Sequence, residues 1–305
     1  MIIDKPPGMT SYDVIRNVKR LLGMEKVGHA GTLDPLATGV LIICVNEATK
    51  ITRFFSNDDK DYRATMLLGV RTDTLDTDGT VTDRCKPCLQ EREIRDAVDS
   101  FVGRIEQKAP KYSAVKFNGR PLYKWTRRGI DIEPPLRKVD IYNIQVEDIK
   151  LPYVTFSVSC SKGTYIRSLC DDIGNRLGCG ACLSGLRRTR SGRFREEDAV
   201  SLEDFTDGEK AVILEKKLIT LVDALSGICD IEVDQDTADR IKKGYQPDYG
   251  MLKEKDIRLP EMGTLVKFVT KSRVLIAVAE TCSSPEGVSF SDDNERAVKI
   301  LRVFN

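Results

Sequence analysis

The sequence predicts an α+β protein: a body built on a central, largely antiparallel sheet, followed by a small β-rich module. Three observations predict it. Apolar residues recur at helical spacing over 10–22, 91–101 and 164–177, and Gly23, Gly103 and Gly178 stand where those helices would stop. The stretches 138–149 and 153–160 alternate apolar and polar residues as an antiparallel pair does. In the tail the pattern changes to strands near 264–270, 273–280 and 297–304 with a short helix over 236–243, which fits a small barrel. A chain of 305 residues, 41% hydrophobic, is long enough for a large domain over 1–228 and a small one over 229–305.

Taken in order, residues 2–9 read as a strand and turn. Thr10 or Ser11 then caps a helix with Asp13 in its first turn and Val14, Val18, Leu21 and Leu22 on one face. A glycine-rich loop over 28–40 leads into an apolar strand at 41–45, and Lys60–Arg63 leads into a strand over 64–68 closed by Gly69. The acids Asp73, Asp76 and Asp78 before Gly79 imitate a calcium loop, but the closing glutamate is absent, so they read as a loop between strands. Ile94, Ala97, Val98 and Phe101 make the inner face of the helix after Glu91. Four prolines make 104–138 mostly loop. Ile166, Leu169, Cys170, Ile173 and Leu177 face inward from the next helix, and a charged helix over about 209–225 leads to the tail.

The formal net charge of +1 conceals segregation. Residues 104–138 hold ten basic residues against three acidic ones, and 187–195 hold five arginines and no acid, followed by seven acids in 196–209. Basic stretches of this density, interleaved with Tyr112, Tyr123, Trp125 and Phe194, suit a nucleic acid: cations meet phosphate and aromatic rings stack on unpaired bases. Nine scattered cysteines, mostly among apolar neighbours, read as reduced core residues. The pairs Cys85/Cys88 and Cys179/Cys182 have metal-type spacing but lie far apart with no histidine to spare, so no metal is expected. No apolar run is long enough to span a membrane, and the first residues lack the regions of a signal peptide, which predicts a cytosolic chain.

The stretch that organises the body is Gly28-His29-Ala30-Gly31-Thr32-Leu33-Asp34-Pro35-Leu36-Ala37-Thr38-Gly39-Val40-Leu41. Glycines let a ligand approach the backbone, and Pro35 pushes Asp34 out of the helical region, so an acid is held at a turn beside the chain's sole histidine. The string resembles the signature of the TruB family of bacterial tRNA pseudouridine-55 synthases. Six further blocks resemble that family in its order: Lys5–Ser11, Asp61–Arg63, Arg71–Asp76, Tyr112–Lys116, Ser161–Leu169 and Leu186–Arg188. The likeness is dense over about the first 200 residues and weak beyond.

The resemblance implies the pseudouridine synthase fold, a PUA-like RNA-binding tail, and isomerisation of uridine 55 in the T-loop of tRNA with no cofactor. It implies Asp34 as nucleophile, Arg167 as its ion-pair partner, and Tyr62 stacked on the target base with its hydroxyl at hand for a ring proton. Tyr165 and Leu186 would line the pocket, and His29 would fill the space left by the flipped base. Lys5, with Pro6, would pack under the catalytic loop, and Arg187 and Arg188, with the 104–138 stretch, would meet the T-arm. The expected protein is a cytoplasmic monomer. The rivals are a guide-RNA-dependent relative acting on ribosomal RNA and a tRNA-folding chaperone, though a chaperone has no need of Asp34, Tyr62 and Arg167 together.

Overall fold

In the computed structural model, residues 1–130, 132–205, 210–282 and 296–305 are described. They form two compact units, 1–217 and 218–305.

The first unit begins with β1 (Ile2–Lys5) and α1 (Ser11–Leu22). Thr10 caps α1 through a reciprocal pair with Asp13, and Gly23 ends it at φ +63°, as its position in the sequence implies. Next come β2 (Val27–Ala30), β3 (Thr38–Val45), the single turn α2 (Thr52–Phe55) and β4 (Lys60–Leu68). A hairpin of β5 (Val70–Thr72) and β6 (Val81–Arg84) precedes α3 (Glu91–Asp99). The basic stretch holds β7 (Gly103–Lys108), the two-residue strands β8 (Lys116–Phe117) and β9 (Arg120–Pro121), and the short α4 (Leu122–Thr126). The long strand β10 (Leu136–Lys150) and β11 (Tyr153–Cys160) lead to α5 (Ile166–Arg176). The unit closes with β12 (Ala181–Ser191), β13 (Phe194–Arg195), β14 (Val200–Ser201) and α6 (Lys210–Lys217).

One mixed sheet runs in the order β14-β1-β3-β12-β4-β11-β10-β7, with β2 on β3 and β13 on β12. Only β14/β1 and β3/β12 are parallel, so the expectation of a largely antiparallel sheet holds. The inner faces of α1, α3 and α5 join the sheet in one apolar cluster that includes Val14, Val18, Ile94, Val98, Leu169 and Ile173. The strand β4 shows why the sheet is held in one register: its residues alternate buried and half-exposed from Lys60 to Leu68, and a slip of one would turn every buried side chain outward.

The second unit holds α7 (Leu221–Ala224), β15 (Cys229–Val233), α8 (Gln235–Lys242), α9 (Tyr249–Glu254), β16 (Leu265–Thr270), β17 (Leu275–Thr281) and β18 (Val298–Val303). Its four strands make one sheet, β15-β16-β17-β18, around Ile231, Phe268, Ala277 and Val298. The expected charged helix over 209–225 is instead two helices, α6 and α7, because Thr220 caps a new start; residue 209 lies outside the described residues. Among the described residues no helix is long and apolar enough to cross a membrane.

Candidate active site

The loop between β2 and β3 places Asp34 at the start of a turn that the Ala37 N–H closes on the Asp34 carbonyl at 3.1 Å. The backbone around it is gripped from three sides. Ser11, at the start of α1, donates its hydroxyl to the Leu33 carbonyl at 3.1 Å and accepts the Leu33 N–H at 2.9 Å. Lys5, fully buried at the end of β1, donates to the carbonyls of Pro35 at 3.1 Å, Ala37 at 2.6 Å and Pro6 at 2.9 Å. The Gly8 N–H donates to the Pro35 carbonyl at 2.9 Å. From β12, Arg188 donates to the carbonyls of Val40 at 2.7 Å and Gly31 at 3.0 Å. A loop whose buried carbonyls are satisfied in this way is stiff, and its carboxylate is delivered in one place. Gly39 makes the close approach of β3 to β12 workable: at φ +94°, a Cβ there would lie 2.3 Å from the Arg188 carbonyl oxygen.

Arg167, near the start of α5, meets that carboxylate. Its Nη2 donates to Asp34 Oδ1 at 3.3 Å, while Nε lies 3.0 Å from Oδ2 but off the hydrogen-bond line, a contact of charge alone. The rest of the guanidinium is fixed by the carbonyls of Thr74 at 2.9 Å and Tyr112 at 3.0 Å, with the Asp76 carboxylate 3.6 Å away. Arg167 is 5% exposed, whereas the Asp34 side chain keeps 35% of its surface. The carboxylate faces outward and its counter-ion does not. Burial pushes the Asp76 carboxyl above its usual range, and the Thr74 hydroxyl and Arg167 oppose that. The start of α5 is itself pinned, because the amide of buried Gln107 on β7 pairs both ways with the Tyr165 backbone, at 2.7 and 3.0 Å.

The floor of the site is the row Gly39, Arg188, Tyr62, which stand opposite one another on β3, β12 and β4. Tyr62 is 9% exposed; burial pushes its phenol up and the positive charge of Arg188 opposes the rise. Leu186, two residues before Arg188 on β12, is half-buried against the main core. Tyr165 packs on Ala109, Val115 and Leu122, a separate small cluster at the base of the basic stretch. His29 belongs to β2, opposite Ile43, and not to the loop that the glycines suggested. It is half-buried, and burial and Arg188 together hold its pKa below the usual value, so at neutral pH its ring is uncharged.

Asp34, Arg167, Tyr62, Arg188 and Lys5 thus converge on one loop and its floor. Two expectations for the arginine run need correcting. Arg188 is 1% exposed and buried beneath the loop, so it presents no charge to a phosphate. Arg187 is partly exposed but already neutralised, by Asp4 at 2.9 and 3.0 Å and Glu196 at 2.5 Å. Arg190 likewise forks onto Asp61 at 2.6 and 2.7 Å. The run is a central strand, and Asp4 and Asp61, which reach it from β1 and β4, are acids that a count of neighbouring charges does not reveal. Lys5, too, touches only backbone carbonyls here; it holds the loop. The sequence reading passed over Ser11, Asp76 and Gln107 as site residues. Asp76 was in view as a loop acid, whereas nothing local marks Gln107. Among the described residues no three His, Cys, Asp or Glu are grouped to hold a metal ion.

Residues 19–166 match the family model of the TruB family pseudouridylate synthase N-terminal domain, and 167–225 match that of the tRNA pseudouridylate synthase B C-terminal domain. The chain is 54% identical over its whole length to the tRNA pseudouridine synthase B of Syntrophus aciditrophicus, covering 98% of that protein. It is 39% identical to that of Geobacter sulfurreducens, covering 99% of it. Among solved structures it resembles a Cbf5–Nop10–Gar1 complex, with a TM-score of 0.74 and 28% identity over 99% of this chain and 84% of that one. The archaeal box H/ACA sRNP Nop10–Cbf5 complex gives a TM-score of 0.73 and 27% identity over 99% and 85%. With the signature loop, its pinned aspartate and the buried arginine behind it, the chain belongs to the TruB family of pseudouridylate synthases.

Proposed function

We propose that the protein isomerises uridine 55 in the T-loop of tRNA to pseudouridine, with Asp34 as the nucleophile. The observation that carries the reading is the half-exposed Asp34 carboxylate on a pinned loop, backed by the buried Arg167 guanidinium. The reaction breaks the bond from ribose C1′ to uracil N1, turns the base, and joins C1′ to C5; the C5 proton leaves and N1 gains one. Atoms and electrons balance within the substrate, so the chain needs no cofactor. An ionised carboxylate can hold either the sugar or the base while the bond is open. Extruding the base costs a few kcal/mol of stacking, which Tyr62 beneath it and His29 in its place would offset. Neutral His29 suits stacking. Tyr165 and Leu186 would line the pocket.

The wider assignments belong to the same reading: tRNA bound through its T-arm, a protein working as a monomer in the cytosol where its substrate is, and a second unit of the PUA type adding RNA contact. The 54% full-length identity to a tRNA pseudouridine synthase B, set against 28% to Cbf5, favours the stand-alone enzyme over the guide-dependent one.

The test is an unmodified tRNA transcript incubated with purified protein alone, with pseudouridine mapped by carbodiimide-blocked primer extension. Wild type should give one new stop, at the T-loop uridine. Asp34→Asn should lose the stop by about a thousandfold or more in rate while tRNA binding changes little. Equal loss of binding and turnover would make Asp34 structural, and no stop with wild type would overturn the reaction itself.

A further inference from the structure

Away from the catalytic loop, a cavity of about 510 Å3 opens between three segments: Ser56 and Asn57 after α2, Arg137 and Lys138 at the start of β10, and Lys162 with Gly163 in the turn between β11 and α5. Its cations lack the ion pairs that several arginines of the sheet make. Arg187, Arg190, Arg63 and Arg104 each meet a carboxylate within 3.0 Å. Arg137, Lys138 and Lys162 form no ion pair among the described residues. Of the acids near these segments in sequence, Asp140 pairs with Arg104 at 2.9 Å and Asp59 accepts the Tyr142 hydroxyl at 3.1 Å.

The cavity is also built. Lys162 Nζ donates to the Asn57 side-chain oxygen at 3.1 Å, a neutral partner that aims the ammonium and leaves its charge intact. The turn that carries Lys162 is tied to β10 from both sides of Asp140, whose N–H donates to the Ser161 hydroxyl at 2.9 Å and whose carbonyl accepts the Ser161 N–H at 2.8 Å. The Thr164 hydroxyl closes the turn on the Ser161 carbonyl at 2.9 Å, and Gly163 takes φ +82°. Lys162 is five residues before Arg167, and Asn57 is five before Tyr62. A chain of five residues reaches at most about 18 Å, a span of only a few nucleotides.

We propose that this cavity is a phosphodiester-binding subsite, which takes one backbone phosphate of the substrate RNA within a few nucleotides of the flipped base. The inference rests on the proposed RNA substrate. Arg137 and Lys162, which line the cavity and have no ion-pair partner among the described residues, attract an external anion, and each cation that neutralises phosphate contributes to the salt dependence of binding.

The experiment measures the Kd of a T-arm stem-loop RNA as a function of salt, in an Asp34→Asn background so that no turnover intrudes. Arg137→Ala with Lys162→Ala should weaken binding about three- to tenfold at physiological salt and lower the slope of log Kd against log salt by about 1. Asn57→Asp places a carboxylate against the Lys162 ammonium and should reproduce most of that loss without removing a cation. Arg92→Ala, on the solvent face of α3 with 90% of its side chain exposed, should change nothing. If the double variant and Asn57→Asp both keep the wild-type slope, the subsite is overturned, and a T-loop stop in the primer-extension assay would leave the proposed reaction standing. A lowered slope without any pseudouridine would do the reverse.

Discussion

Among the described residues two arginines of the first unit are buried, Arg167 at the start of α5 and Arg188 in the middle of β12, and their surroundings differ. Arg167 stands between two carboxylates, Asp34 and Asp76, with two carbonyls completing its shell. Arg188, 1% exposed, has the carbonyls of Val40 and Gly31 as partners and no ion-paired carboxylate among the described residues. The first is part of a charge network that fixes the Asp34 carboxylate. The second is a buried positive charge that braces a loop, and its field reaches Tyr62, His29 and Lys60, whose pKa values it lowers. Burying a charge without a counter-ion is costly. What offsets the cost here is a set of fixed dipoles, the carbonyls of Val40 and Gly31.

The comparison can be broken at Arg167 first. Arg167→Lys keeps a charge but not the fork, and pseudouridine formation should fall about a hundredfold, read by single-turnover kinetics on a tRNA transcript. Arg167→Met should cost about 3 kcal/mol in denaturant unfolding, because Asp34 and Asp76 are left facing each other, and adding Asp76→Asn should return part of it. If Asp76→Asn returns nothing, the two carboxylates do not share Arg167.

At Arg188 the expected pattern is the opposite. Arg188→Met should lose about 2 kcal/mol through the two carbonyls, with no carboxylate whose removal restores it. Activity should fall through the loop, so saturating tRNA should not recover it. Recovery of wild-type stability by any acid-to-amide change would show an ion pair at Arg188 and end the contrast.

The smallest effect concerns Lys5. Burial pushes its pKa down to about 8, against the pull of Asp34 and Asp13. Because the folded pKa lies below the unfolded one, the unfolded chain binds more protons between about pH 8 and 10.5, so the Lys5 contribution to stability rises with pH across that window. Function should move the other way. A neutral amine has two protons for three carbonyls, so turnover should decline a few-fold above about pH 8, and Lys5→Arg should move that limb higher. A flat profile to pH 9 would remove Lys5 titration from the loop.

Much of the fold was legible because local rules agree with the tertiary outcome. Thr10, Asp13 and Gly23 bound α1 by capping chemistry, Ile166 to Ile173 mark α5 by period, and β10 and β11 pair as their alternation implies. The strands β2, β12 and β15 and the helix α9 are among the elements the sequence did not reveal. Val27–Ala30 carries two of the features that suggested a loop, a glycine and the sole histidine, and becomes a strand only because β3 offers it an edge. Asp34, Tyr62 and Arg167 were visible as residues, but not the grip on the loop. Ser11 holds Leu33 across 22 positions and Gln107 holds Tyr165 across 58, and no local pattern marks contacts at such range.

The sequence by itself determined the period of the helices, the alternation of the strands, the constrained turn at Asp34 and the family to which these belong. These depend on near-neighbour sterics, capping and patterning, which act along the chain. Only the tertiary structure decided which charges are free. Arg187 and Arg190 are neutralised by Asp4, Glu196 and Asp61, Arg188 is spent on carbonyls, and Arg137 and Lys138, at the end of the basic stretch, line with Lys162 an open cavity with no ion pair among the described residues. Coulomb energy depends on separation in space and on solvent exposure, and both are set by the sheet order β1-β3-β12-β4, which brings residues 4, 39, 188 and 62 onto neighbouring strands.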